Sequence, residues 1–146
     1  MKEIFIEENN FNEARKKIRE NSDKEIIFTS NNNELNRKVL EKENIDVLLI
    51  NQAGRKDKQK QRDSGFNQVL AKIAKKKEVI IGINLDEIIN SKGKGKSEIL
   101  ARIRQNVKLC NKNKLKMKFV GFKEKRDVYD LKALGLVLGM PTWMMK

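Results

Sequence analysis

The chain has 146 residues, a size expected for one domain, with a net charge of +13, a single cysteine and no histidine. The missing histidine excludes a Ser-His-Asp or Cys-His triad, a histidine general base and any histidine metal site. The single cysteine excludes an internal disulfide and Cys-rich zinc sites, so catalysis by this chain alone would need lysine chemistry or carboxylates holding Mg²⁺.

Short apolar runs alternate with amphipathic stretches. Ile4-Phe5-Ile6 is expected as a strand, followed by a helix from Phe11 to Arg19 with Phe11, Ala14, Arg15 and Ile18 at helical spacing. Glu25 to Thr29 reads as a second strand, and Asn33 to Glu43 as a helix packing through Leu35, Val39 and Leu40. Val47 to Ile50 is a third strand, and Asp63 to Lys77 a third helix with Phe66, Val69, Leu70 and Ile73 inward. Val79 to Leu85 is apolar almost throughout, as a parallel strand covered on both faces should be. After a short helical turn comes a basic loop, Ser91 to Lys96, and then a helix from an N-cap at Ser97 to about Asn113. Its inward face would be Ile99, Leu100, Ile103, Val107 and Cys110, with Cys110 a small core residue. A fifth strand spans Lys116 to Phe122, and a last helix spans Asp127 to Leu138, packing through Val128, Leu131, Leu134 and Leu138. Five β-then-α units in series imply an α/β fold with a parallel sheet and right-handed crossovers, either doubly wound or part of a β/α barrel.

The charge is concentrated in the later part of the chain. Residues 1–50 carry 9 Lys+Arg and 11 Asp+Glu, whereas residues 51–146 carry 24 and 9. An AT-rich genome would favour lysine over arginine everywhere but does not account for an acidic first third. The distribution points to an anionic partner, with nucleic acid ahead of a membrane surface. No apolar run approaches the ~20 residues a membrane helix needs, and the opening MKEIFIEENN turns acidic too soon for a secretory signal, so a cytoplasmic protein is expected.

The densest basic segment is Gly54 to Gly65, between the third strand and third helix, where α/β proteins place their ligand sites. Its Arg55, Lys56, Lys58, Lys60 and Arg62 outnumber Asp57 and Asp63 and suit RNA phosphates. Arg104, Lys108 and Lys112 share one face of the long helix, either as ordinary solvated charge or as phosphate contacts. Gly95-Lys96-Ser97 resembles the end of a P-loop, but that motif needs glycine where Asn90 stands. Asp57, Asp63, Asp86, Glu87 and Asp130 are the carboxylates a Mg²⁺ nuclease could use; for Asp63, capping the third helix is the simpler role. Aromatic residues are few and mostly Phe in apolar positions, which favours shape and phosphate recognition over base stacking.

Gly54-Arg55-Lys56-Asp57 followed by Asp63-Ser64-Gly65-Phe66-Asn67-Gln68-Val69-Leu70-Ala71 resembles the G-R-K-D-S-G-I-D-H-V-L-A stretch of archaeal ribonuclease P protein component 3. Leu100 to Leu109 is similar to that family's long-helix motif, and Asp130 to Leu134 to its D-L-R-A motif. The three occur in the family's order, across residues 25 to 140 or so. The resemblance implies a partial or incomplete TIM-like barrel of about five strands, related to the polymerase and histidinol phosphatase (PHP) superfamily, over residues 1–146 as a single domain. It implies a subunit of the ribonucleoprotein endonuclease that removes 5′ leaders from precursor tRNA. The chemistry would belong to ribonuclease P RNA with its Mg²⁺, with no cofactor on the protein. The expected partners are that RNA, precursor tRNA and the ferredoxin-like ribonuclease P protein component 2. The residues expected to meet RNA are Arg55, Lys56, Lys58, Lys60, Arg62, Arg102 and Arg104, while Gln105, Asn106 and Asp130 could serve the fold or a partner. The chain departs from the family pattern in having Asn67-Gln68 for Asp-His, a loop lengthened by Lys58 to Arg62, and neither the early β/α units nor the tail of longer members. An incomplete barrel should leave a sheet edge for a partner to cover. A general RNA-binding or ribosome-associated module is the second reading, and a carboxylate-metal nuclease the third.

Overall fold

Among the described residues, alternating β and α periodicity resolves into five parallel strands in sequence order. The computed structural model describes residues 2–57 and 62–145. The strands are β1 (Glu3–Glu7), β2 (Glu25–Thr29), β3 (Val47–Ile50), β4 (Ile80–Asn84) and β5 (Met117–Val120). Each pairs in parallel with its neighbour, giving the order β1-β2-β3-β4-β5. The helices are α1 (Phe11–Glu20), α2 (Asn33–Lys42), α3 (Gln68–Lys77), α4 (Leu85–Asn90), α5 (Gly93–Lys112) and α6 (Val128–Val137), followed by a 3₁₀ turn at Thr142–Met145.

Strand alternation sorts the core into two sides. On the outer, helix-covered side, Ile26, Phe28, Leu48, Ile50, Ile81, Ile83, Met117 and Phe119 meet Ala14, Ile18, Val39, Leu40, Leu70, Ala74, Ile103 and Val107. On the inner side a smaller cluster of Ile27, Val47, Leu49 and Val120 packs with Ile80. The sheet curls so far that side chains of its two edge strands touch across this interior. Lys118 of β5 stands 3.0 Å from Glu3 of β1 and 3.7 Å from Glu25 of β2. The rings of Phe5 and Phe122 lie 4.6 Å apart. Among the described residues, β1 and β5 each pair with only one strand, which are the edges an incomplete barrel should have. The architecture is a partial TIM-like barrel. Gly82 lets the inner layer close: a Cβ there would stand 3.0 Å from Val47 Cγ1 and 3.2 Å from Leu49 Cα. Gly82→Val is therefore expected to cost about 1–3 kcal/mol in a urea titration; an unchanged midpoint would mean that the interior is loosely filled.

Three local expectations are corrected. The third helix begins at Gln68, capped by the Asn67 side chain, which accepts from Leu70 N; Asp63 does not cap it. Gly65, at φ +74°, breaks the chain between them, and the later start leaves Val69 exposed while Ala71 and Ala74 turn inward. The stretch expected as a basic loop before Ser97 is helical from Gly93, so Ser97 lies inside α5 and its hydroxyl donates to Gly93 O. Burial of Ile99, Ile103, Val107 and Cys110 along α5 offsets the roughly 1 kcal/mol per glycine that this extension costs. Val128 is exposed, because α6 packs chiefly through Leu131, Leu134, Gly135 and Leu138. Cys110 is fully buried, and burial pushes its thiol up to about 12.

Candidate nucleic-acid interface

The segment after β3 is held by side chains from three elements. Arg102 reaches it from α5 and is 3% exposed. Its Nε donates to Asp57 Oδ1 at 3.0 Å, its Nη1 to Gln52 O at 3.2 Å and its Nη2 to Arg55 O at 2.8 Å. One turn further along α5, Gln105 donates to Ser64 Oγ and Arg62 O, and Asn106 to Ser64 O. Gln52 also donates to Ser64 O, so one carbonyl takes two amides, and Gln52 Oε1 and Asn106 Oδ1 are buried without a partner among the described residues. From the first turn of α4, the Glu87 carboxylate accepts the backbone N–H groups of Gln52 at 2.7 Å and Ala53 at 2.9 Å. Its neighbour Asp86 does the same for the next loop, accepting from Phe122, Lys123 and Glu124.

Arg55 also turns inward. Its side chain is 11% exposed, with Nε donating to Asn51 O at 2.6 Å and Nη1 to Asn33 Oδ1 at 3.0 Å and Asp63 Oδ1 at 3.4 Å. Burial lowers its pKa, against the opposing pull of Asp63 and Glu87. Asp57 moves below the ordinary aspartate range because of its bond to Arg102, and it accepts the Asp63 N–H at 3.0 Å. That bond brings the two ends of the basic insertion together.

The residues expected to meet RNA therefore separate into groups. Arg102 and Arg55, expected to meet RNA, turn inward and fasten the segment. Lys56, Arg62 and Arg104 are exposed. Lys58 and Lys60 lie outside the described residues. Lys108 and Lys112 flank an open cleft of about 390 Å³ between α5 and the start of α3, lined also by Phe66, Asn67, Gln68, Gln105 and Leu109. A second cleft, of about 480 Å³, opens at the C-terminal end of the sheet among Asn31, Asn33, Asn51, Gly54 and Lys56. Sequence reasoning did not find the amides Gln52, Asn51 and Asn33; their only signal was polarity directly after apolar strands. Four of the five carboxylates named for a nuclease are engaged elsewhere, with Asp57 and Asp63 on arginines and Asp86 and Glu87 on backbone N–H groups. Among the described residues, no three acidic or cysteine side chains converge in a way that could hold a metal ion.

Fold and site together define a partial β/α barrel whose strand C-termini carry a basic, amide-lined surface. Within that class the chain is similar to ribonuclease P protein component 3. The relative from Methanococcus maripaludis is 27% identical over 138 residues, 93% of this chain and 56% of its own length. The relative from Methanocaldococcus jannaschii is 33% identical over 78 residues, 53% of this chain and 31% of its own. The chain thus spans about half the length of the curated relatives it matches. A chain in the cryo-EM structure of archaeal ribonuclease P with mature tRNA superposes with a TM-score of 0.81 at 25% identity, over 97% of this chain and 62% of that one. No protein-family model matches. Two of the three motifs that carried the resemblance are in contact, since Arg102, Gln105 and Asn106 of the long-helix motif bind the segment bearing Gly54 to Gly65. Among the described residues no helix is long and apolar enough to cross a membrane.

Proposed function

We propose that the protein is a subunit of ribonuclease P, supporting the catalytic RNA as it removes 5′ leaders from precursor tRNA. The observation that carries this reading is the superposition of 97% of this chain on 62% of a chain in the structure of archaeal ribonuclease P with mature tRNA. Residues 1–146 act as one β/α domain in a cytoplasmic ribonucleoprotein. Ribonuclease P RNA and precursor tRNA are the partners, Mg²⁺ is bound by the RNA, and the protein contributes no cofactor. Lys56, Arg62 and Arg104, with Lys58 and Lys60, neutralise phosphates and stabilise the folded RNA. Ribonuclease P protein component 2 is the proposed protein partner. The exposed apolar row Val128, Tyr129, Leu136 and Val137 on α6 supports a protein contact there, Tyr129 being 82% exposed.

Reconstitution tests the reading. Added to the cognate ribonuclease P RNA and component 2, the protein should lower the Mg²⁺ needed for precursor-tRNA cleavage. Binding without any change in cleavage would instead favour the general RNA-binding module. Each of Lys56→Ala, Arg62→Ala and Arg104→Ala should also flatten the dependence of log affinity on log salt by roughly 0.7–0.9. A slope unmoved by all three would exclude this surface.

A further inference from the structure

We propose that Asp57 and Arg102 are positioning residues for RNA binding, so that removing a negative charge from this basic surface weakens its hold on RNA. The inference rests on the RNA-binding reading above and deepens it. A carboxylate among phosphate-binding cations should repel RNA, and simple charge counting makes Asp57 a liability. The geometry gives it another task. Its Oδ1 accepts from Arg102 Nε and from the Asp63 backbone N–H, both at 3.0 Å. It thereby ties the two ends of the basic insertion to each other and to α5. Arg102 spends its remaining donors on Gln52 O and Arg55 O, so one guanidinium fixes three points of the segment. Exposed Lys56 and Arg62 stand beside those fixed points, and exposed Arg104 lies two residues along the helix that anchors them.

The consequence is that cations from two separate elements form one surface of set spacing. Without the pair, Lys56 and Arg62 keep their charges but lose their place relative to Arg104. Ordering them on RNA would then cost conformational entropy that the folded protein has already paid. Arg102 cannot be a phosphate contact itself, since its donors face inward and it is 3% exposed.

The test measures affinity for the cognate ribonuclease P RNA across a salt series, with the wild type and three variants. Asp57→Ala, which removes the accepting oxygen itself, should bind about tenfold more weakly, with a salt slope reduced by roughly 0.7 or more as at least one phosphate contact is lost. Glu98→Gln removes a negative charge 3.9 Å from the same guanidinium without touching the segment, and should bind as tightly as wild type or more tightly. The double variant Asp57→Ala/Arg102→Met leaves no unpaired charge inside and keeps the net charge of the wild type, so it guards against misfolding of the single variant. It should show the same weakening. Wild-type affinity in either Asp57 variant, or tighter binding, overturns the positioning role. A wild type whose affinity for the RNA ignores salt overturns the RNA-binding reading and this inference with it. Hydrogen exchange on the free protein separates the two failures: loss of protection at the Asp63 amide in Asp57→Ala, with β3 and β4 amides unchanged, establishes the fastening whether or not RNA binds.

Discussion

Gly65→Ala is expected to lower the unfolding free energy by about 3 kcal/mol and to expel Arg55 from its pocket. Two costs combine. Gly65 sits at φ +74°, where an L side chain pays roughly 1–2 kcal/mol. Its added Cβ would also overlap the Arg55 guanidinium and stand 2.8 Å from Ile50 Cγ2. Arg55 is a long side chain, but its bonds to Asn51 O, Asn33 and Asp63 prevent it from swinging aside freely. Urea unfolding of Gly65→Ala, Arg55→Ala and their double variant separates the two costs. Arg55→Ala removes the overlap, so the double variant should be more stable than the sum of the single losses predicts. Strict additivity would show that the overlap is relieved cheaply and that only the backbone angle matters.

Replacing Asp86 and Glu87 together by Ala should cost about 4 kcal/mol, since five backbone N–H groups lose a charged acceptor. The two adjacent carboxylates at the start of α4 pin the loops that follow β3 and β5, the strands on either side of β4. Their chemistry also sets the response to acid. Burial alone would raise the Asp86 pKa, but the N–H bonds from Lys123, Glu124 and Phe122 outweigh it and hold the carboxyl below its ordinary value of 3.8. A folded-state pKa below the unfolded one gives stability that is fully present above the unfolded value and lost as pH falls through the folded value. Asp57 is lowered as well, chiefly by its bond to Arg102, so both groups make the protein less stable in that acid window. Denaturant midpoints measured from pH 7 down to pH 3 should fall for the wild type and fall less steeply for Asp86→Asn. Parallel curves would remove Asp86 from the account.

The strands were legible because parallel strands read as continuous apolar runs. Glu25–Thr29 and Val47–Ile50 agree with their expected limits, and Val79 to Leu85 contains β4 with one residue to spare at each end. Helix starts were harder to read. Asp63, Ser97 and Asn67 all have side chains able to cap, and only tertiary context chose Asn67: Asp63 is drawn to Arg55, and burial of α5 extends that helix back past Ser97. The place of the basic segment was legible from its composition. The division of labour within it was not, because a sequence shows that Arg55, Arg102 and Arg104 are cations without showing which way they point. An arginine on a helix whose next turn carries Gln105 and Asn106 looks like part of a polar outer face; here Arg102 and Asn106 face inward against another element's backbone.

The seam between Glu3, Lys118 and Glu25, with Phe5 against Phe122, bears on how the chain folds. Every strand pairs with the next in sequence, so the sheet can grow one β/α unit at a time through contacts of modest separation. The link from Glu3 to Lys118 joins residues 115 apart, forms only once all five strands stand, and is carried by partly exposed side chains with no backbone ladder. Opening it breaks no strand pairing, so it is expected to open before the sheet does. The curled sheet is therefore a ring held by a clasp, able to spread at one line while the remaining four strand junctions stay whole.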